Sequence, residues 1–313
     1  MTLEQIVDKK LSCGGGSDAD TGKLGCQIEW GTPLHVIGMT KGTIIPKETE
    51  FNKAYIDSQI QLGKFFPLIG AEQFDRESSE DSVTTNSRNV ERINVLGLPK
   101  YKFTYEEGHE FYREMSKLTS FKALDFIFAD EEGNWKMAVT STGDYKGFTA
   151  GQAIALLTME KTQGGAAESK AFSIQLIDRA QWDYNYVFAL RSSLDFSPEE
   201  IDGVNRVLIS YEQVPSATDT AIIVNVVLKA DGLTPVEGLL VDDFIYTVGG
   251  VSEAITSVAE SPTIPGQYTL TVGALTLAEV VGVGTFDATV NKYVVLSNGT
   301  LYRGEIVTET VVA

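Results

Sequence analysis

The chain has 313 residues, enough for one large domain or two of ordinary size, and its 25 Lys and Arg against 43 Asp and Glu give a formal net charge of −18. That balance argues against sequence-independent binding to phosphate backbones, which needs a basic face, and against docking on an anionic membrane. Apolar residues make up 43% and charged residues 22%, as in soluble proteins with a real core. Two cysteines exclude a disulfide scaffold, and two histidines exclude a multi-histidine metal centre.

The start, Met1 to Lys10, has no apolar stretch of signal-peptide length, and acids stand where a basic region should be. Leu11-Ser12-Cys13 followed by three glycines resembles a lipid-attachment site only superficially, because no apolar region precedes it. The longest apolar run, 221–228, is interrupted by Asn225 and too short to span a bilayer. The expectation is a soluble protein made in the cytoplasm, with Cys13 and Cys26 as free thiols, no cofactor and no membrane partner.

In chain order, residues 1–30 are Gly-rich and polar and read as an arm. Residues 33–39 turn apolar. From Gly42 to Leu62 the pattern is ambiguous, bracketed by Pro46 and Pro67. Asp75–Arg88 has one large aliphatic residue, Val83, and reads as a long polar loop of the kind that is functional or disordered. Val90, Ile93 and Val95 then lead to a turn at Gly97-Leu98-Pro99. Tyr101–Tyr105 alternates aromatic and polar residues, the period of a half-buried strand. Thr104 and Glu107 have the spacing of a capping box, and Phe111, Met115 and Leu118 fall on one helical face, which predicts a helix over 105–118. Apolar runs at 123–129 and 135–140, joined by Asp130-Glu131-Glu132-Gly133-Asn134, predict a hairpin. Strands are expected at 143–149, 152–160 and 169–177, with Gly164-Gly165 as a turn. One short helix should open at Ser197-Pro198-Glu199-Glu200.

Composition shifts near Pro215. From 218 onward there are three basic residues, Lys229, Lys292 and Arg303, against eleven acids. Short Val- and Thr-rich runs at 220–228, 244–248, 267–272, 286–290, 293–296 and 301–307 predict strands. Asn298-Gly299 is a type I′ hairpin signal, which also accounts for the glycosylation-like Asn298-Gly299-Thr300. So many short strands in one stretch suggest an immunoglobulin-like sandwich held by packing alone. The fold class expected is mainly β: a β-sandwich or barrel domain with a flanking helix at 31–214, then an Ig-like sandwich at 215–313.

Chemical motifs are weak. Asp18-Ala19-Asp20 begins like a calcium loop and Glu29 falls at its twelfth position, but Gly22 and Lys23 do not fit the middle. Asp130, Glu131 and Glu132 read as a solvated turn. Asp242 and Asp243, taken as strand neighbours, point to opposite faces and do not easily share a site. His35 and His109 have no nucleophile motif beside them, and no P-loop, G-x-S-x-G, H-E-x-x-H or G-x-G-x-x-G occurs. No catalytic or metal-ligating residue is assigned.

The order of elements resembles the major tail (tail tube) proteins of tailed bacteriophages that carry an appended Ig-like domain. The resemblance rests on the long polar loop, the strands and helix at 104–118, the acidic hairpin 130–134, Gly147-Phe148-Thr149-Ala150-Gly151, the strand 170–176, and Pro265-Gly266-Gln267-Tyr268-Thr269-Leu270-Thr271. It implies a virion structural protein located in the tail and assembled in the host cytoplasm, not an enzyme. Hexameric rings, joined by a continuous inter-subunit sheet, would stack around a lumen through which the genome passes without specific binding. Its partners would be copies of itself and other virion proteins. The acidic excess of the chain fits, because cationic contacts would hold DNA back. Arg76, Glu77, Arg88, Glu91 and Arg92 are the expected inter-subunit contacts, through the loop. The alternatives are a phage connector, head-surface or decoration protein, a cell-surface Ig-like binding module, or an enzyme with an unrecognised site.

Overall fold

The computed structural model describes residues 2–7, 30–77, 82–85, 91–95, 97–157, 169–285, 294–295 and 300–313. The chain is mainly β. It divides into two compact units, one formed by Met1–Ile56 with Lys64–Ile201, the other by Asp57–Gly63 with Asp202–Ala313.

The first unit contains β1 (Pro33–Thr40), β2 (Ile44–Ile45), β3 (Phe65–Leu68), β4 (Gln73–Arg76), β5 (Ser82–Thr85), β6 (Glu91–Val95) and β7 (Lys100–Tyr105). These are followed by β8 (Ser120–Phe121), β9 (Leu124–Asp130), β10 (Trp135–Val139), β11 (Tyr145–Lys146), β12 (Phe148–Leu157), β13 (Lys170–Leu176) and β14 (Tyr186–Ala189). Its helices are α1 (Leu3–Ile6), α3 (His109–Ser116) and α4 (Arg179–Asp183); α2 (Lys53–Gln61) occupies the stretch whose pattern was ambiguous. The main sheet runs β2-β11-β10-β9-β12-β13-β7-β4, with β1 pairing both β9 and β3, β14 on β10, and β8 on β12.

The sheet branches at β9. Phe128 pairs with Lys136 of β10, whereas Phe126 pairs with Phe148 of β12. Gly147 lies at the fork, where a Cβ would come 2.7 Å from the Phe126 nitrogen, so any other residue would push the branches apart. Aromatic side chains fill the space enclosed: Phe103, Tyr105, Phe126, Phe128, Phe148 and Phe172 share one buried cluster with Ile174 and Leu176. Helix α3 packs on β12. Its Met115 is buried in that cluster and Phe111 and Leu118 lie against it, the face their spacing predicts.

The helix starts later than its sequence suggests. Tyr105 ends β7, opposite Lys170, and Thr104 is buried in the same strand opposite Ala171. The aromatic alternation therefore extends the strand through the proposed cap, and Gly108, with extended backbone, takes the N-cap position. The hairpin at 130–134 forms between β9 and β10. The expected helix at Ser197 is a single 3-10 turn, Pro198–Glu200, with Ser197 N–H donating to Glu200 Oε1 at 3.0 Å. Helix α4 and strand β14 lie upstream of it, where no strong period marks them.

The second unit contains β15 (Val204–Tyr211), β16 (Ala221–Leu228), β17 (Ile245–Val248), β18 (Val251–Glu253), β19 (Ser257–Glu260), β20 (Gln267–Thr271), β21 (Val280–Gly284), β22 (Val294–Val295), β23 (Leu301–Gly304) and β24 (Val307–Thr310). One sheet has the order β19-β20-β16-β15-β23-β22, the other β18-β17-β21-β24. Inward residues of both sheets, among them Val207, Val224, Tyr246, Tyr268, Leu270 and Val283, form its core. The division at Asp202 lies upstream of the compositional shift at 215, because β15 is an inner strand held between β16 and a parallel β23. The run 286–290, Asn298-Gly299, Gly164-Gly165, Cys13, Cys26 and the Asp18–Glu29 string lie outside the described residues.

Candidate assembly interface

The polar stretch 75–88 is not simply a loop. Its first residues complete β4, and 82–85 form β5, which pairs with β6 in the register Val83↔Ile93, Thr84↔Arg92 and Thr85↔Glu91. β-Branched Val and Thr favour this extended backbone even though the segment holds too few apolar residues to announce a strand. Among the described residues this two-stranded ladder pairs with no other strand.

β4 is the last strand of the main sheet's path. Its register on β7 is Gln73↔Thr104, Phe74↔Phe103, Asp75↔Lys102 and Arg76↔Tyr101. Phe74 anchors it inward, stacking on Tyr101 and touching Phe103, with both ring centroids 5.4 Å away. On the outside, Asp75 of β4 and Glu77 just past its end face lysines of β7: Asp75 lies 3.9 Å from Lys102 and Glu77 2.8 Å from Lys100. The Lys100 hydrogen bond holds the Glu77 carboxyl below its usual range. Such exposed pairs are worth less than ~1 kcal/mol each, so they orient the edge more than they stabilise it.

Of the five residues expected at the interface, Arg76 is exposed at the end of β4, and Glu77 is engaged by Lys100 of its own chain. Glu91 and Arg92 sit on β6, opposite Thr85 and Thr84. Arg88 lies outside the described residues. Arg76 and Glu77 precede the 82–95 hairpin in the chain, and that hairpin carries Glu91 and Arg92.

The other sequence candidates have structural roles. Asp130 is buried, and its carboxylate accepts from Asn134 N–H (2.8 Å), Glu132 N–H (3.1 Å), Gly31 N–H (3.1 Å) and the Asn134 amide (3.0 Å). It is the organiser of the β9–β10 turn rather than a solvated acid. Asp242 and Asp243 belong to a 3-10 turn, not a strand, and Asp243 accepts from Leu240 N–H at 2.7 Å. His109 is exposed on α3 and His35 is buried on β1. Among the described residues no group of three or more His, Cys, Asp or Glu is placed to hold a metal ion, and no helix is long and apolar enough to cross a membrane.

One site has no signal in the sequence beyond a lone lysine in an apolar strand. Lys136 of β10 is 6% exposed, and its Nζ lies 3.6 Å from the Trp182 ring centroid and 4.2 Å from that of Tyr186. Trp30, Phe148 and Phe188 complete the enclosure, and Nζ donates to the Trp182 carbonyl at 3.2 Å. Burial pushes the amine down to about 7, opposed by the charge of Asp183.

Comparison of the sequence with models of known protein families and with curated proteins finds no match.

Proposed function

We propose that the protein is a virion structural protein whose first unit assembles with copies of itself into stacked, tail-tube-like rings. The observation that carries this reading is the β5–β6 hairpin, which follows the terminal strand β4 in the chain and joins no other sheet among the described residues. A lone two-stranded ladder is marginal in water, and a strand edge exposed on a monomer invites pairing. Closure of a ring removes both liabilities at once. The acidic balance of the chain suits a conduit that must not retain DNA.

We read the second unit as Ig-like, from its two packed sheets and the Greek-key order in which β16, β20 and β19 share one sheet while β17, β21 and β24 share the other. Exposed Leu233, Leu240 and Ile264 on its connections favour a decorating or weakly adhesive role for that unit. Sedimentation velocity across a hundredfold range of concentration tests the assembly reading. Concentration-dependent oligomers of discrete size support it, and a monomer throughout refutes it.

A further inference from the structure

His35 was unassigned by the sequence, and the assembly reading does not use it. It is 4% exposed, on β1 opposite Ala129 of β9. Its Nδ1 accepts a hydrogen bond from Gly70 N–H at 3.1 Å. A ring nitrogen that accepts carries no proton, so the imidazole is neutral, with its hydrogen on Nε2. Gly70 belongs to the turn between β3 and β4 and has a φ of +75, in the left-handed region that favours glycine. The next two amides of the turn are held by backbone: Ala71 N–H donates to Leu34 O at 2.9 Å, and Glu72 N–H to Thr104 O at 2.8 Å. Three successive N–H groups therefore aim the chain into β4, and the first is held by an atom that titrates.

We propose that His35 is an acid-sensitive latch on β4: protonation of Nδ1 replaces the acceptor of Gly70 N–H with a second donor and releases the turn that leads into the strand. The charged groups acting on His35 are Asp130, at the end of β9, and Glu199, in the 3-10 turn. Both favour the imidazolium, but burial outweighs them and holds the histidine below its ordinary range. Opening of the turn frees the ring to titrate near ~6.5, its ordinary value in solution. Between that value and the lower folded one, the open form binds the extra proton. Opening therefore becomes easier as pH falls, by up to about tenfold per pH unit within that window. The latch does not depend on what β4 contacts in an assembly.

Backbone hydrogen exchange on the full-length protein at pH 7.5 and pH 5.5, corrected for the intrinsic pH dependence of exchange, tests it. Protection of residues 70–76 is expected to fall several-fold in acid while that of β12 and β13 holds. His35→Asn offers a carbonyl oxygen that accepts without titrating, and is expected to abolish the difference. The same pH response in both proteins, or none in the wild type, overturns the latch. Nitrogen-15 spectra of the wild-type imidazoles provide a second check that needs no variant: at neutral pH His35 is expected as the Nε2–H tautomer, and an Nδ1–H tautomer would equally overturn it.

Discussion

Lys136 shows how far a single residue's chemistry can depart from its sequence context. Its ammonium loses water on folding and gains two close ring faces and one carbonyl. The folded value of about 7 lies below the ~10.4 of an unfolded lysine, so between these values the unfolded chain holds more protons and folding stability rises with pH. Below about 7 both states are charged and the contribution is constant. Replacing Lys136 by Met is expected to stabilise the protein at pH 7.5 by roughly 1–3 kcal/mol, after discounting the ring contacts, and to remove that rise. Urea unfolding of both proteins at pH 7.5 and pH 9.5 measures it. A variant less stable at pH 7.5, with the rise intact, would mean that the rings outweigh desolvation.

Among the elements, strong periodicity was legible and weak periodicity was not. Phe111, Met115 and Leu118 marked the buried face of α3, and the acidic Gly-containing link marked the β9–β10 hairpin. Thr104 misled, because a capping spacing is a local signal and the alternating aromatics Tyr101, Phe103 and Tyr105 gain more by burial in β7. The β5–β6 hairpin was hidden because its residues are polar and its ladder is set by backbone pairing. Asp130 was underestimated for a different reason: its partners are backbone amides, and no residue pattern encodes them. If the hairpin serves contact between subunits, replacing residues 78–96 by a short Gly-Ser link leaves the subunit's thermal transition within a few degrees of wild type and abolishes higher assembly. Light scattering paired with differential scanning calorimetry reads both, and undiminished assembly would remove the hairpin from the interface.

Over the whole molecule, the mainly β class followed from the spacing of turn residues and the many short alternating runs. The division at Asp202 did not, because β15 lies in a stretch whose charge resembles the preceding residues while its backbone completes the later sheet. A fragment spanning 202–313 is expected to unfold cooperatively, and one spanning 218–313, which lacks β15 between β16 and β23, to lose that transition. Circular dichroism during urea titration distinguishes them. Equal cooperativity in both would show that β15 is dispensable.

Ring closure would remove the exposed strand edges by joining copies of the intact chain. Negative-stain electron microscopy of the purified full-length protein tests it most directly. Closed rings of uniform diameter, stacking into short tubes as concentration rises, are the expected result. A field of single, unassociated particles at every concentration would contradict it.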